Sequence, residues 1–337
     1  NLVETFRNDR TLKQDLRLSL LYKLSRFSQR SLRHMPEGTD VFWHFGGIMP
    51  FARRFDILHS PDAVFLTGPY GKRVVTVHDL AIFKEQNRIS GYTTAAFRDK
   101  QFLFLKQVAA FADAVICVSH STRNDFLEMF GTDPDKVAVA HLGSRLDNVV
   151  PDDKIIGDLG LSGSLYLLFV GSVSIRKNLL NMLKAYKLSG LQKDYKFVLA
   201  GAFSMGSEKV TEQIAAEGLD DDVIVTGYIS DEALKSLYTN ASALLFATYY
   251  EGFGLPIAEA MSMQLPVLIG NVGSAPEIAG GHAIICDPFD PHSIAQGIEK
   301  AVSTDNRKTL SDAKQFASKY TWENCAARTM EVYKSLL

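Results

Sequence analysis

The 337-residue chain has no hydrophobic run long enough to cross a membrane as a helix. Its longest apolar stretches, 165–170 and 241–250, fall far short of the ~18 residues such a span requires. Cysteine is scarce: Cys117, Cys286 and Cys325 are too few and too scattered for a disulfide framework or a zinc cluster. Cys117 and Cys286 sit inside apolar runs and read as small core residues in a reducing compartment. Charge of one sign is lacking too. The 36 Lys and Arg against 38 Asp and Glu leave a net −2, without the global basic excess of a nucleic-acid binder. No secretory signal is read at the start. The Walker phosphate-loop pattern is absent, and the G-x-G of Gly252 and Gly254 meets Ile257 where a dinucleotide fingerprint needs its third glycine. Redox-cofactor and P-loop chemistry therefore have little support. What is present, 46% hydrophobic and 22% charged residues, is the composition of a globular protein.

At roughly 150 residues per domain, the length predicts two domains. Apolar runs of strand length recur at 41–45, 56–60, 73–79, 114–120 and 136–143. After a polar stretch at 151–164 they restart at 166–172, 196–202, 222–229, 242–250, 265–270 and 282–287. The runs are apolar throughout rather than alternating, the mark of parallel strands covered by helices on both faces. Helix-length segments between them predict right-handed crossovers and doubly wound sheets. The expectation is α/β: two Rossmann-like domains, 1–150 and 151–318, facing across a cleft, with 319–337 as a terminal amphipathic helix. Ligands of such sheets bind beyond the carboxyl ends of the strands. Most of the chemically interesting residues lie there, in HD at 78–79, GSVSIRKN at 171–178 and YYEGFG at 249–254.

The sharpest segment is EGFGLPIAEA at 251–260. Gly252 and Gly254 permit a tight turn, and Pro256 suits the first turn of a following helix. A glycine loop feeding a helix N-terminus offers N–H donors and partial positive charge to a phosphate. Glu251 and Glu259 flank that turn, where carboxylates suit sugar or ribose hydroxyls. An ordinary strand–turn–helix junction with a solvated Glu would read the same way. In GSVSIRKN, Arg176 can grip phosphate oxygens in a fork while Lys177 acts as a point charge. Cations at a helix start oppose its dipole, which favours an anionic ligand over a merely solvated pair.

Together these segments resemble the retaining nucleotide-sugar glycosyltransferases of the GT-B fold, family 4. Glu251 and Glu259 match that family's E-x7-E motif, and VGSVSIRKNLLNMLKAY at 170–186 matches its basic loop. SHSTRNDFLEMFGTDPDKVAVAHLG at 119–143 and GSAPEIAGGHAIICDPFD at 273–290 match further parts of the two domains. The resemblance implies that Arg176 and Lys177, on a loop opened by Gly171, hold the donor diphosphate. It implies that Glu259 binds ribose hydroxyls and Glu251 the transferred sugar. Phe253, Gly254 and Leu255 would present backbone amides, and His78 would face the sugar near the reacting carbon. Unaided, a strand-end histidine reads as structural more readily than as catalytic; the HD pair and the resemblance reverse that. The last helix, with Trp322, Ala326, Met330 and Val332 or Tyr333 near helical spacing, would cross back to the N-terminal domain. No cofactor and no metal are expected, since cations and helix dipoles replace the metal in this fold. The Asp133–Asp135 and Asp220–Asp222 pairs read as turn residues.

NLVETFRN at 1–8 resembles the helix that follows the family's first strand and glycine-rich loop, so that element is expected to be missing here. Residues 7–33 carry eight basic against two acidic side chains, a local +6, and Leu12, Leu16, Leu20, Leu24 and Phe27 follow helical spacing. A basic amphipathic helix there would lie on an anionic membrane surface or embrace a lipid-linked diphosphate acceptor; packing of its leucines on the sheet is the alternative. The VHDLAIF and FVGSVSIRKN runs look most like the bacterial branch that builds polysaccharide and O-antigen (lipopolysaccharide) chains. The expected function is thus a cytoplasmic, retaining, metal-independent hexosyltransferase, peripheral to the membrane if 7–33 binds it. It would move mannose from GDP-mannose to a glycan or lipid-linked acceptor hydroxyl. The alternatives are another donor (UDP-glucose, UDP-galactose or a rhamnosyl donor) and a non-catalytic nucleotide-sugar-binding subunit.

Overall fold

The structure, a computed structural model, describes residues 2–8, 19–23, 40–44, 55–61, 71–84, 93–303 and 307–337. The chain divides into two compact units. The first comprises Asn1–His78, Asp99–Gly143 and Thr321–Leu337; the second comprises Asp79–Arg98 and Ser144–Tyr320. Among the described residues no helix is long and apolar enough to cross a membrane.

The first unit holds β1 (Ser19–Lys23), β2 (Asp40–His44), β3 (Ile57–Ser60), β4 (Lys72–Val77), β5 (Ala114–Cys117) and β6 (Val137–Val139). β3 to β6 form one parallel sheet in sequential order, and β1 pairs with β2 in parallel, Ser19 opposite Asp40. β5 is buried along its whole length, which is why AVIC shows no alternation. The helix after it, His120–Phe130, starts where the Ser119 hydroxyl accepts from the Thr122 amide at 3.0 Å. It ends at Gly131 in the left-handed region (φ 58°). The terminal helix Trp322–Leu336, capped by Thr321, lays Cys325, Ala326, Met330, Val332 and Tyr333 against Phe6, Val74, Ala114, Ile116 and Ala140.

β1 corrects one expectation. A single helix over 7–33 is interrupted at Ser19–Lys23, where Leu20 and its neighbours Leu21 and Tyr22 form a strand. A short apolar run satisfies helix and strand patterns equally, and pairing with β2 decides between them. Arg10, Lys13, Arg17, Arg26, Arg30 and Arg33 lie outside the described residues.

The second unit holds β7 (Leu165–Val170), β8 (Tyr195–Ala200), β9 (Val223–Gly227), β10 (Ala243–Phe246), β11 (Val267–Gly270) and β12 (Ile284–Cys286). They form one parallel sheet in the order β12-β11-β10-β7-β8-β9. β7 lies between β8 and β10, with Leu168 opposite both Val198 and Leu244. The winding direction reverses there: β8 and β9 extend one way from β7, and β10 to β12 the other. The connections after β7 and β10 therefore diverge, opening a crevice at the carboxyl ends of these two strands. Among the described residues, eleven of the twelve strands coincide with the apolar runs of the sequence; β1 is the addition. All three cysteines are free and buried. Burial pushes the Cys117 and Cys286 thiols up to about 12 and that of Cys325 to about 11, so none is a ready nucleophile.

A part-buried polar cluster ties the terminal helix to the sheet of β3 to β6. The His59 ring meets the Tyr333 hydroxyl through Nδ1 at 2.5 Å and the Thr76 hydroxyl through Nε2 at 2.8 Å. Burial, helped by the charge of His78, lowers the His59 pKa from 6.5 to about 4. As pH falls below about 6.5 the unfolded chain takes a proton that the folded one refuses, so stability declines until about pH 4. The linked loss is about 3 kcal/mol. Urea unfolding at pH 7 and pH 4 should show this extra loss in the wild type and not in His59→Gln. Equal pH dependence of the two would dismiss the neutral, buried imidazole.

Candidate active site

The crevice of the second unit is built by three loops whose backbones are mutually braced. The loop after β7 begins at Gly171, whose amide donates to the Ala200 carbonyl at 3.0 Å. Val173 continues the pairing, giving its amide to Ala202 and accepting from Ser204. This extension beyond the strands demands a glycine at 201: a Cβ there would lie 2.0 Å from the Gly171 carbonyl oxygen, well inside contact distance. The loop then makes a short turn, Ile175–Lys177, ending at Asn178 with φ 61°.

Asn178 is fully buried and acts across the sheet. Its Nδ2 donates to the Ala247 carbonyl at the end of β10 and to the Pro288 carbonyl beyond β12, each at 2.7 Å. Asn181 donates to Pro288 at 3.2 Å and lies 3.1 Å from the Tyr249 hydroxyl. Tyr249 stacks on Phe289 at 5.1 Å between centroids. The loops after β7, β10 and β12 are thereby joined through two asparagines.

The loop after β10 carries Glu251 to Gly254. Gly254 adopts φ 89° at the head of the helix Leu255–Ser262, with Pro256 in its first turn, as a glycine and a proline in that order permit. The Glu251 carbonyl accepts from the Ser274 amide at 3.3 Å; the Ser274 hydroxyl lies 2.9 Å from it and 2.8 Å from the Phe253 carbonyl. Gly273 (φ 60°) packs so close that a Cβ would come within 3.1 Å of the same carbonyl. The Phe253 side chain is buried edge-on against Tyr320.

On this frame Lys177 Nζ meets Glu251 Oε1 at 2.6 Å, both side chains nearly buried at 11% and 12% exposure. Arg176, half-buried beside them, has no hydrogen-bond or ion-pair partner among the described residues. Glu259 is farther along the helix, 3% exposed, its Oε2 accepting from the Tyr238 hydroxyl at 2.9 Å. Burial raises its pKa, against the lowering effects of the Tyr238 hydrogen bond and the Arg145 charge. Burial and the Glu259 charge raise the Tyr238 phenol in turn, so it stays protonated and donates.

Gly171, Arg176, Lys177, Glu251, Phe253, Gly254, Leu255 and Glu259 are thus brought to one unit and one sheet edge. The two carboxylates have different partners: Glu251 serves a cation and Glu259 a phenol. His78 belongs to the first unit, directly after β4, where its exposed Nε2–H donates to the Pro61 carbonyl at 2.8 Å. Asp79 caps the next turn through the Ala81 amide. Asp133 is a turn residue as expected, accepting from the Asp135 amide. Sequence reasoning passed over Asn178, Ser274 and Tyr238. An asparagine between a basic pair and an apolar helix start was a signal for a left-handed turn position.

Residues 152–320, half of the chain, match the model for glycosyl transferases group 1, and residues 6–147 match glycosyltransferase family 4. The O-antigen chain mannosyltransferase B of Escherichia coli is 28% identical over 294 residues, covering 83% of this chain and 74% of that protein. A D-inositol 3-phosphate glycosyltransferase of Corynebacterium diphtheriae is 25% identical, with coverages of 86% and 73%. Among solved structures, the sucrose-phosphate synthase of Thermosynechococcus elongatus aligns with TM-score 0.70 at 21% identity, covering 84% of this chain and 74% of that one. The Anabaena protein Alr3699/HepE, in complex with UDP and glucose, aligns with TM-score 0.68 at 18% identity, with coverages of 84% and 78%. These likenesses show the GT-B fold.

The bracing of the loops is measurable. Asn178→Ala removes two hydrogen bonds worth about 1 kcal/mol each and puts a Cβ-bearing residue without a helpful side chain at φ 61°, about 1 kcal/mol more. Urea denaturation should report a loss of about 3 kcal/mol, with Asn178→Gly recovering about 1 kcal/mol of it. Equal stability of both variants and the wild type would show that the clamp contributes nothing.

Proposed function

Since the chain belongs to the glycosyl transferases of group 1, with a family 4 glycosyltransferase domain before them in the sequence, we propose that it moves mannose from GDP-mannose to a hydroxyl of a glycan or lipid-linked acceptor, with retention at the anomeric carbon. The observation that carries the reading is the near-buried Lys177 at the carboxyl ends of β7 and β10, with Arg176 beside it in sequence and without a partner among the described residues. That is the place where the sheet order itself directs an anionic ligand.

In this reaction the bond between the anomeric carbon and the diphosphate oxygen breaks, and the acceptor oxygen bonds to the same carbon on the face being vacated. The acceptor proton passes to a phosphate oxygen, so no side-chain base is needed. Negative charge grows on the leaving diphosphate, where Lys177 and Arg176 stabilise it; a preorganised donor of this kind is worth about 3 kcal/mol in the transition state. Tyr238 fixes one oxygen of Glu259 and leaves the carboxylate a second acceptor for ribose hydroxyls. Phe253, Gly254 and Leu255 present the helix start to the sugar and phosphate, and Glu251 faces the sugar hydroxyls. His78 is assigned to the transferred sugar on resemblance alone. No metal and no cofactor take part in this reading: cations of the chain neutralise the diphosphate. Three buried, reduced cysteines suit a cytoplasmic setting. The mannosyl donor is favoured by the Escherichia coli relative's name, while the Anabaena complex with UDP and glucose makes UDP-glucose the first alternative to assay.

Nucleoside diphosphate release should be assayed over a panel of nucleotide sugars, with and without chelator. The account predicts greatest release from GDP-mannose, unchanged by saturating chelator; a tenfold loss restored by magnesium or manganese would contradict the assignment of Arg176 and Lys177. In the same assay Lys177→Ala should lower turnover by about 10²–10³. Glu259→Ala should chiefly raise the donor Michaelis constant, because ribose contacts are the same in ground and transition states. Normal turnover in a folded Lys177→Ala protein would remove the diphosphate role.

A further inference from the structure

The pairing of Lys177 with Glu251 implies more than a binding site for a diphosphate. We propose that Glu251 is a positioning residue whose carboxylate serves as an internal counter-anion. It holds the Lys177 ammonium ready in the free protein and yields it to the donor diphosphate on binding. The inference rests on the donor-site reading above and assigns Glu251 a task distinct from contact with the sugar.

Burial creates the need. A lysine whose side chain is 11% exposed keeps little water around its charge and is favoured by a charged partner close by. Among the described residues its surroundings supply no other: the Phe246 ring lies 6.0 Å from Nζ, and the Gly171 backbone stands so near that a Cβ there would lie 3.9 Å from Cε and 3.3 Å from the Phe169 ring. Aromatic carbon and backbone thus wall in the lysine stem and leave its head few places to go. The carboxylate that meets it is carried on a backbone fixed from beneath by Ser274 and Gly273. Arg176 is held by no such partner among the described residues. Among the described residues, one cation is therefore neutralised by a carboxylate and the other is not.

Two consequences follow from charge balance. An incoming phosphate must displace or share the carboxylate, so a single weakly held anion gains little from Lys177. A diphosphate that also engages Arg176 can offset the displacement, which favours diphosphate over lone phosphate. Breaking a buried pair by neutralising one partner strands the other charge. Glu251→Gln should leave Lys177 short of a counter-charge, and any anion that restores it should then bind more tightly.

The test measures binding of inorganic pyrophosphate and of GDP to the full chain by calorimetry and thermal shift. Glu251→Gln should melt lower than the wild type when free, bind pyrophosphate at least fivefold more tightly and gain more in melting temperature from it. The donor Michaelis constant should fall while turnover at saturation changes far less, because the lost competitor weighed equally on ground and transition states. Glu251→Asp keeps the charge on a shorter arm and should tighten pyrophosphate binding by a smaller factor, a readout that survives if the Gln variant fails to fold. Unchanged or weaker pyrophosphate binding in the folded variants, with normal GDP binding to the wild type, overturns the inference alone. A wild type that binds neither GDP nor pyrophosphate overturns the donor-site reading and the inference together.

Discussion

The arrangement of the second unit depends on one ion pair at a topological boundary. Lys177 and Glu251 lie 74 residues apart and meet at 2.6 Å because β7 and β10 are neighbours in the sheet while their following loops diverge. A buried lysine is tolerable only with its counter-charge, and a carboxylate can be delivered there only if the β10 loop is held in place. The bracing follows from that demand: Asn178 reaching to Ala247 and Pro288, Ser274 supporting Glu251, a glycine at 201 where no Cβ fits, and a glycine at 273 where one would be tight and the φ is left-handed.

These braces separate position from chemistry. The residues that would touch phosphate or sugar sit on loops and the helix start that follows, while Asn178, Ser274 and Tyr238, which fix them, are buried and neutral. Asn178 uses its amide where a charged side chain would be costly to bury. Tyr238 does for Glu259 what Ser274 does for the Glu251 backbone, holding an acceptor group in place through a hydroxyl. The first unit repeats the device, with Tyr333 and Thr76 hydrogen-bonded to the His59 ring that burial keeps neutral.

Much of this was legible in the sequence because apolar runs such as LYLLFV and SALLFATYY have no reason to lack alternation unless both faces are covered. The polar residues at their ends, Arg176, Lys177, Glu251 and Glu259, stood out for the same reason. Their pairing did not: nothing in local spacing says that Lys177 meets Glu251 while Glu259 meets Tyr238, since strand order is set by packing between distant segments. Asn178 illustrates the limit, with partners 69 and 110 residues away. SLLYK failed in the opposite way, because Leu20 fits the helical spacing of its neighbours and the strand is decided by β2, outside any local window.

The central claim is that the crevice between β7 and β10 receives the donor diphosphate. A crystal structure of the full chain with GDP bound tests it most directly. The account predicts the diphosphate oxygens within hydrogen-bond distance of Lys177 Nζ and the Arg176 guanidinium, with the ribose hydroxyls on Glu259. GDP bound with its diphosphate away from both cations would contradict it.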